Sequence, residues 1–179
     1  MNIALILAGG TDSRFKMDIP KQFVNVNNRP IIVYTLEAFQ NHPEIDEIIV
    51  TCLDGWQEMV RAYGKQFNIS KLKNIISGGR DAQESTYKGL QQIKSKMDKG
   101  DIVVVHDAIR PMVTEEIISK SIDMCRKKGM GVAATPIPFF RHISMLLEII
   151  SSVTIGRIAS WTTTISPLSI LLLICCNPL

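Results

Sequence analysis

The sequence predicts an α/β fold built on a doubly wound, mostly parallel sheet. Three observations carry that expectation. Apolar runs rich in branched residues recur along the chain, segments with helical spacing separate them, and glycine-bearing turns follow several of the runs. The first run, "IALILA" from Ile3, reads as a strand. In "PIIVYTLEAFQ" Pro30 suits a first helical position, and Ile32, Leu36 and Phe39 share one face. "IDEIIVTC" from Ile45 is the next strand, followed by a helix over Trp56 to Gln66. A short strand "NII" from Asn74 leads to a helix over Ala82 to Lys96, and "DIVVVHDA" from Asp101 is a strand. The helix over Glu115 to Lys128 has Thr114 as N-cap and Lys127, Lys128 and Gly129 as stop signals. "GVAATPIP" from Gly131 closes the series. Strict alternation implies parallel strands with helices on both faces, and such sheets bind ligands beyond the carboxyl ends of their strands.

Bulk properties narrow the function. A chain of 179 residues with 46% apolar content is long enough for one domain with its own core. A formal charge of +3 is too mild for a nucleic-acid coat, yet does not repel an anionic small molecule. His42, His106 and His142 are scattered and form no ligand cluster, so no protein-built metal site is expected. Cys52 and Cys125 fall in apparent secondary structure and Cys175 and Cys176 are adjacent, a pattern that suits a reduced, cytoplasmic protein. The chain opens directly into a strand pattern, without a basic segment or cleavage site, so no signal peptide is expected. The apolar run from Leu168 to Cys176 is about half the length needed to cross a bilayer, and no membrane span is expected.

Three loops at strand ends concentrate the chemistry. "ALILAGGTDSRFKMDIPKQ" leaves the first strand through Gly9 and Gly10 and then sets down Arg14 and Lys21, with Pro20 stiffening the approach to the lysine. A glycine turn leaves backbone N–H groups free to meet an anion. No Lys-Ser or Lys-Thr follows for a P-loop, and the glycines are not spaced for a dinucleotide fingerprint. For a lone Gly-Gly pair a tight turn with solvated charges is the favoured reading; the cations, Pro20 and the other two loops reverse that preference towards a ligand. "VVVHDAIRP" puts Asp107 at a strand end with Arg110 three residues on, suited either to a ribose or phosphate or to a surface ion pair. His106 reads as a structural hydrogen-bonding residue rather than a base. In "SGGRDAQES" the glycines again let backbone approach a ligand and Ser85 can reach a base edge, or the segment is an ordinary turn capped by Asp81 or Ser77.

With "LAGGTxxR", "PKQ", "SGG" before Ser85, and "VHDAIRP" in this order over Asn2 to Pro138, the chain resembles the cytidylyltransferases that act on polyol phosphates. That group includes 2-C-methyl-D-erythritol 4-phosphate and ribitol-5-phosphate cytidylyltransferases. The resemblance implies a Rossmann-like nucleotidyltransferase fold of the nucleotide-diphospho-sugar transferase type. It implies attack of a polyol phosphate on the α-phosphorus of CTP, with Mg2+ bridging phosphate oxygens and pyrophosphate leaving. Arg14 and Lys21 would be the catalytic cations, while Leu7, Ala8, Gly9, Gly10, Gly79, Arg80 and Ser85 would hold the nucleotide. Asp107, Ala108 and Arg110 would bind substrate, Asp107 in the ribose and metal region and Arg110 on the acceptor-phosphate side. The resemblance also implies a homodimer, with no nucleic-acid or membrane partner, and the "LAGGT" wording leans towards the ribitol enzymes.

The sequence departs from the family at several places. Asp12 stands where glycine is usual, and Ala82 where an arginine is expected. Beyond Pro138 only Arg141, Glu148 and Arg157 are charged, although the chain has 20 basic and 17 acidic residues. The Asp-Thr pair, dimer arm and late acceptor lysine that the resemblance calls for are not recognisable there. Residues 1–138 therefore read as an incomplete nucleotidyltransferase domain and 139–179 as an atypical segment. A slip of reading frame near Pro138 accounts for this, because TTT CGA CAC ATA for Phe140 to Ile143 reads Phe-Asp-Thr one base later. A divergent tail that packs as strands is the alternative, and "SILLLICC" is an aggregation-prone run. Besides the transferase, a nucleotide-binding protein without turnover and a transferase for another sugar phosphate stand as readings.

Overall fold

The computed structural model describes residues 1–10, 19–133 and 172–176, which belong to one compact unit. Arg14, Asp12 and nearly all of the segment beyond Ala133 lie outside the described residues. The elements run β1 (Asn2–Ala8), β2 (Asn25–Val26), β3 (Arg29–Pro30), α1 (Ile31–Asn41), β4 (Glu47–Cys52) and α2 (Gln57–Gln66). They continue with β5 (Leu72–Ser77), α3 (Ala82–Ile93), β6 (Ile102–Asp107), α4 (Glu115–Lys128), β7 (Met130–Ala133) and β8 (Leu172–Cys176).

The main sheet has the order β5-β4-β1-β6-β8-β7. β5, β4, β1 and β6 are mutually parallel, and β8 enters antiparallel between β6 and β7. The alternation of apolar residues sorts the helices between the two faces. Ala4, Ile6, Ile48, Val50, Ile102 and Val104 join Leu36 and Phe39 of α1, Val60 of α2 and Ile118 and Ile122 of α4 in one core. Ile3, Leu5, Ile49, Val103 and Val105 form the second core with Ile93 of α3. The doubly wound α/β expectation therefore stands.

Local chemistry sets most boundaries. Thr114 accepts a hydrogen bond from the Ile117 N–H to open α4, and Gly129, at φ +80°, closes it in the left-handed region. Asp81 accepts from the Glu84 N–H and opens α3, whose last expected turn is instead a 3-10 turn over Lys94–Lys96. Pro30 precedes α1 as its cap instead of opening it, because it also closes a small hairpin, β2 with β3. That hairpin turns on Asn27 and Asn28, both at positive φ, a signal that the apolar periodicity alone does not reveal. Cys125, on the buried face of α4, is disulfide-bonded, against the expectation of reduced cysteines; α4 packs along β7 and β8 at the sheet's far edge. No helix among the described residues is long and apolar enough to cross a membrane.

Gly89 brings α3 against β1, since a Cβ there would lie 2.6 Å from both terminal carbons of Leu5. Gly89→Val is expected to lower the unfolding free energy by about 1–3 kcal/mol through overpacking, read from the urea midpoint.

Candidate functional site

Strand register brings the three loops to one edge of the sheet. Leu7 pairs with Asp107, Ala8 with Cys52, and Cys52 with Ser77, so β1, β4, β5 and β6 end level with one another. β1 lies between β4 and β6, which places the Gly9 turn between the loop after β5 and the loop after β6.

The first and third loops touch. Gly78 donates its N–H to the Cys52 carbonyl at 2.7 Å, which carries the chain past the end of β4. A Cβ on Gly78 would sit 3.5 Å from Gly9 Cα and 3.3 Å from the Ser85 hydroxyl, and one on Gly9 would sit 3.2 Å from that hydroxyl. These glycines are needed for close approach rather than for φ. Gly79 is tighter still, because a Cβ there would meet Glu84 Cβ at 2.4 Å. A Cβ on Gly10 would meet no atom of the described residues within 4 Å. Ser85 is 2% exposed and accepts the Gly79 N–H at 2.8 Å, so its oxygen shapes the loop while its O–H remains to donate. Arg80 points outward at 89% exposure and pairs with Glu84 at 2.9 Å.

The second loop is held from both sides. Ala108 donates its N–H to the Leu7 carbonyl at 2.9 Å, accepts from the Thr35 hydroxyl at 2.8 Å, and has a fully buried side chain. His106 donates from Nε2 to the Arg110 carbonyl at 2.9 Å and packs tilted on Phe39, a structural role as its sequence context suggests. Burial pushes its imidazole below the ordinary value, with the Arg110 carbonyl bond and the Asp107 charge opposing. Asp107 and Arg110, both partly exposed, form an ion pair at 2.7 Å. The neutral imidazole thus braces the turn that presents this pair.

Lys21 begins a 3-10 turn, Lys21–Phe23, just after Pro20 at φ −59°. Gln22 donates from Nε2 to the Ala8 carbonyl at 2.7 Å, and Phe23 stacks on Trp56 at 4.5 Å and 9°. The described structure therefore brings Leu7, Ala8, Gly9, Lys21, Gly79, Ser85, Asp107, Ala108 and Arg110 to one edge, with Gly10 next in the same turn. Gln22, Phe23 and Thr35 join the site although no motif gives them a role, and Gly78 makes the close approach expected of the "SGG" glycines. Gln22 was visible within "PKQ", but that a glutamine is buried and turned inward is not legible from its neighbours.

The described residues contain no group of three metal-ligating side chains. A cavity of about 440 Å³ lies elsewhere, lined by Arg61, Lys65, Asn68 and Lys73 where α2 ends and β5 begins. Lys65 stands in the last turn of α2, at the negative end of its dipole, while Arg61 pairs with Glu58 and Lys73 donates to the Ser70 carbonyl.

Comparison with known proteins follows the same residues. The family model IspD, 2-C-methyl-D-erythritol 4-phosphate cytidylyltransferase, matches residues 2–140. A ribitol-5-phosphate cytidylyltransferase of Lacticaseibacillus paracasei is 46% identical over 136 residues, covering 76% of this chain and 58% of that protein. A 2-C-methyl-D-erythritol 4-phosphate cytidylyltransferase of Clostridium acetobutylicum is 41% identical over 134 residues, covering 72% and 55%. The chain thus spans little more than half the length of these curated relatives. Among solved structures, 4-diphosphocytidyl-2C-methyl-D-erythritol synthase from Anaerococcus prevotii shares the fold, with a TM-score of 0.62, 24% identity, and coverage of 76% of this chain and 56% of that one.

Glu84 is held down to about 2, first by the Arg80 side chain, then by the Arg80 N–H and by Lys88. A depressed folded value means that the pair's contribution is complete above the ordinary carboxyl value of 4.5 and is lost as pH falls through about 2. The Glu84 carboxyl resonance is expected to titrate near the lower value and to move towards the upper one in Arg80→Ala.

Proposed function

The chain belongs to the 2-C-methyl-D-erythritol 4-phosphate cytidylyltransferase family, and from that membership we propose that it transfers CMP from CTP to a polyol phosphate and releases pyrophosphate. The observation that carries this reading is the meeting of two glycine loops at Gly9 and Gly78, beside the turn that presents Lys21. Ribitol 5-phosphate is the preferred acceptor, supported by the "LAGGT" loop and by the name of the 46% identical relative.

A phosphate oxygen of the acceptor attacks the α-phosphorus, and the bond from that phosphorus to the bridging oxygen breaks as pyrophosphate departs. The nucleophile is already an anion, so catalysis consists of placement and of charge stabilisation rather than proton removal. Gly9, Gly10 and Gly79 offer backbone amides to the nucleotide, and Ser85 has a hydroxyl proton to donate. Lys21, with Arg14, meets the negative charge that grows on the leaving pyrophosphate. Arg110, braced by His106, faces the acceptor phosphate. Magnesium fits a site with one carboxylate, Asp107, because it takes most of its ligands from phosphate oxygens and water. When bound it would neutralise phosphate charge.

We propose further that residues 1–138 are the nucleotidyltransferase domain and that the coding frame slips near Pro138. The end of the family match at residue 140 supports this. Sequencing the gene tests it: an uninterrupted frame with no family-like codons in the neighbouring phase removes the idea. A second reading, nucleotide binding without turnover, is favoured by the 58% coverage of the relative.

Pyrophosphate release is expected with CTP and ribitol 5-phosphate, more slowly with methylerythritol 4-phosphate. Binding of CTP with no release selects the second reading. Lys21→Ala and Arg14→Ala are each expected to lower turnover about 100-fold and CTP affinity only about fivefold, because their charge matters most in the transition state. Equal losses in rate and binding would reduce both to ground-state anchors.

A further inference from the structure

We propose that Gln22 is a positioning residue that sets Lys21 against the nucleotide by hanging the lysine's turn from the last carbonyl of β1. This rests on the cytidylyltransferase reading of Lys21 and adds to it the part that holds the lysine in place. The bond from Gln22 Nε2 to the Ala8 carbonyl spans 14 residues of sequence at 2.7 Å and is buried, with Gln22 2% exposed. Ala8 is followed directly by Gly9, so the same bond fixes the root of the glycine turn and the turn that bears the lysine.

The surroundings leave that turn little freedom. Pro20 holds φ at −59°, Phe23 donates its N–H to the Pro20 carbonyl at 2.9 Å, and Val24 donates to the Lys21 carbonyl at 3.1 Å. On its far side Phe23, 4% exposed, stacks on Trp56 at the start of α2 and lies tilted against Tyr63. Lys21 is therefore bracketed by a polar tie to β1 and an aromatic tie to α2. A flexible four-carbon side chain gains a defined reach only when its Cα is fixed, and a shift of about 1 Å at such a group costs up to about 100-fold in rate. Gln22 supplies the tie closest to the nucleotide edge.

A double-mutant cycle between Gln22 and Lys21, read by calorimetric titration with CTP and magnesium, tests the proposal. Gln22→Met keeps the side chain's length but removes the donor, and is expected to weaken CTP binding about threefold, with Lys21→Ala weakening it about fivefold. The double variant is expected to bind about as Lys21→Ala does, since loss of the tie costs nothing further once the lysine it positions is absent. Multiplication of the two penalties would make Gln22 a structural residue only and overturn the proposal. Gln22→His keeps an N–H the same number of bonds from Cβ and is expected to bind CTP within about twofold of the parent. Should Gln22→Met unfold, this variant carries the cycle, and a diminished Lys21→Ala penalty in its background overturns the proposal. Absence of CTP binding by the parent chain would instead refute the cytidylyltransferase reading, and the role of Gln22 with it.

Discussion

The carbonyls of Leu7 and Ala8, the last two of β1, accept from the Ala108 N–H and from the Gln22 side chain. The segment carrying Asp107 and Arg110 and the segment carrying Lys21 are thus hung from one strand end, on a strand buried in the middle of the sheet. Because Leu7, Ala8 and Cys52 stand in register with Asp107, Cys52 and Ser77, the loops beyond them emerge at one level. A central strand is the most constrained place from which to suspend such groups. Its position is set by hydrogen bonds on both sides and by apolar packing on both faces.

Close approach between the loops is bought with glycine. Gly9 and Gly78 pass each other next to the Ser85 hydroxyl, and Gly79 fits over Glu84 only because it lacks a side chain. Backbone that comes this near to backbone leaves its remaining amides clustered, a geometry suited to an anion with several oxygens. The cations are arranged differently. Arg110 is bound to Asp107 and Lys21 stands on a stiff turn, whereas Arg80 projects into solvent towards Glu84. The site is therefore graded, with amides and a fixed lysine around β1 and a braced ion pair on the β6 side.

The second core, against α3, serves the same end. α3 starts at Asp81, directly after the glycine loop, and its Ser85 reaches back to Gly79. Packing of Gly89 against Leu5 fixes how far the helix lies from β1, and with it how far Ser85 lies from Gly9. Helix position and loop geometry are thus one problem, solved by two small residues a single turn apart on the same helix face.

The alternation of apolar runs and helical spacing determined the α/β class, the four long helices and the parallel core, because burial on both faces and a 3.6-residue period leave marks in composition. Thr114, Asp81 and Gly129 marked their helix ends for a similarly local reason, since a cap is a bond to a backbone group a few residues away. Tertiary structure alone decided that Gln22 turns inward to Ala8, that Thr35 braces Ala108, that Phe23 lies on Trp56, and that β8 runs between β6 and β7. Those contacts join residues far apart in the chain, and what selects them is the room left between packed elements, a quantity that no short stretch of sequence contains.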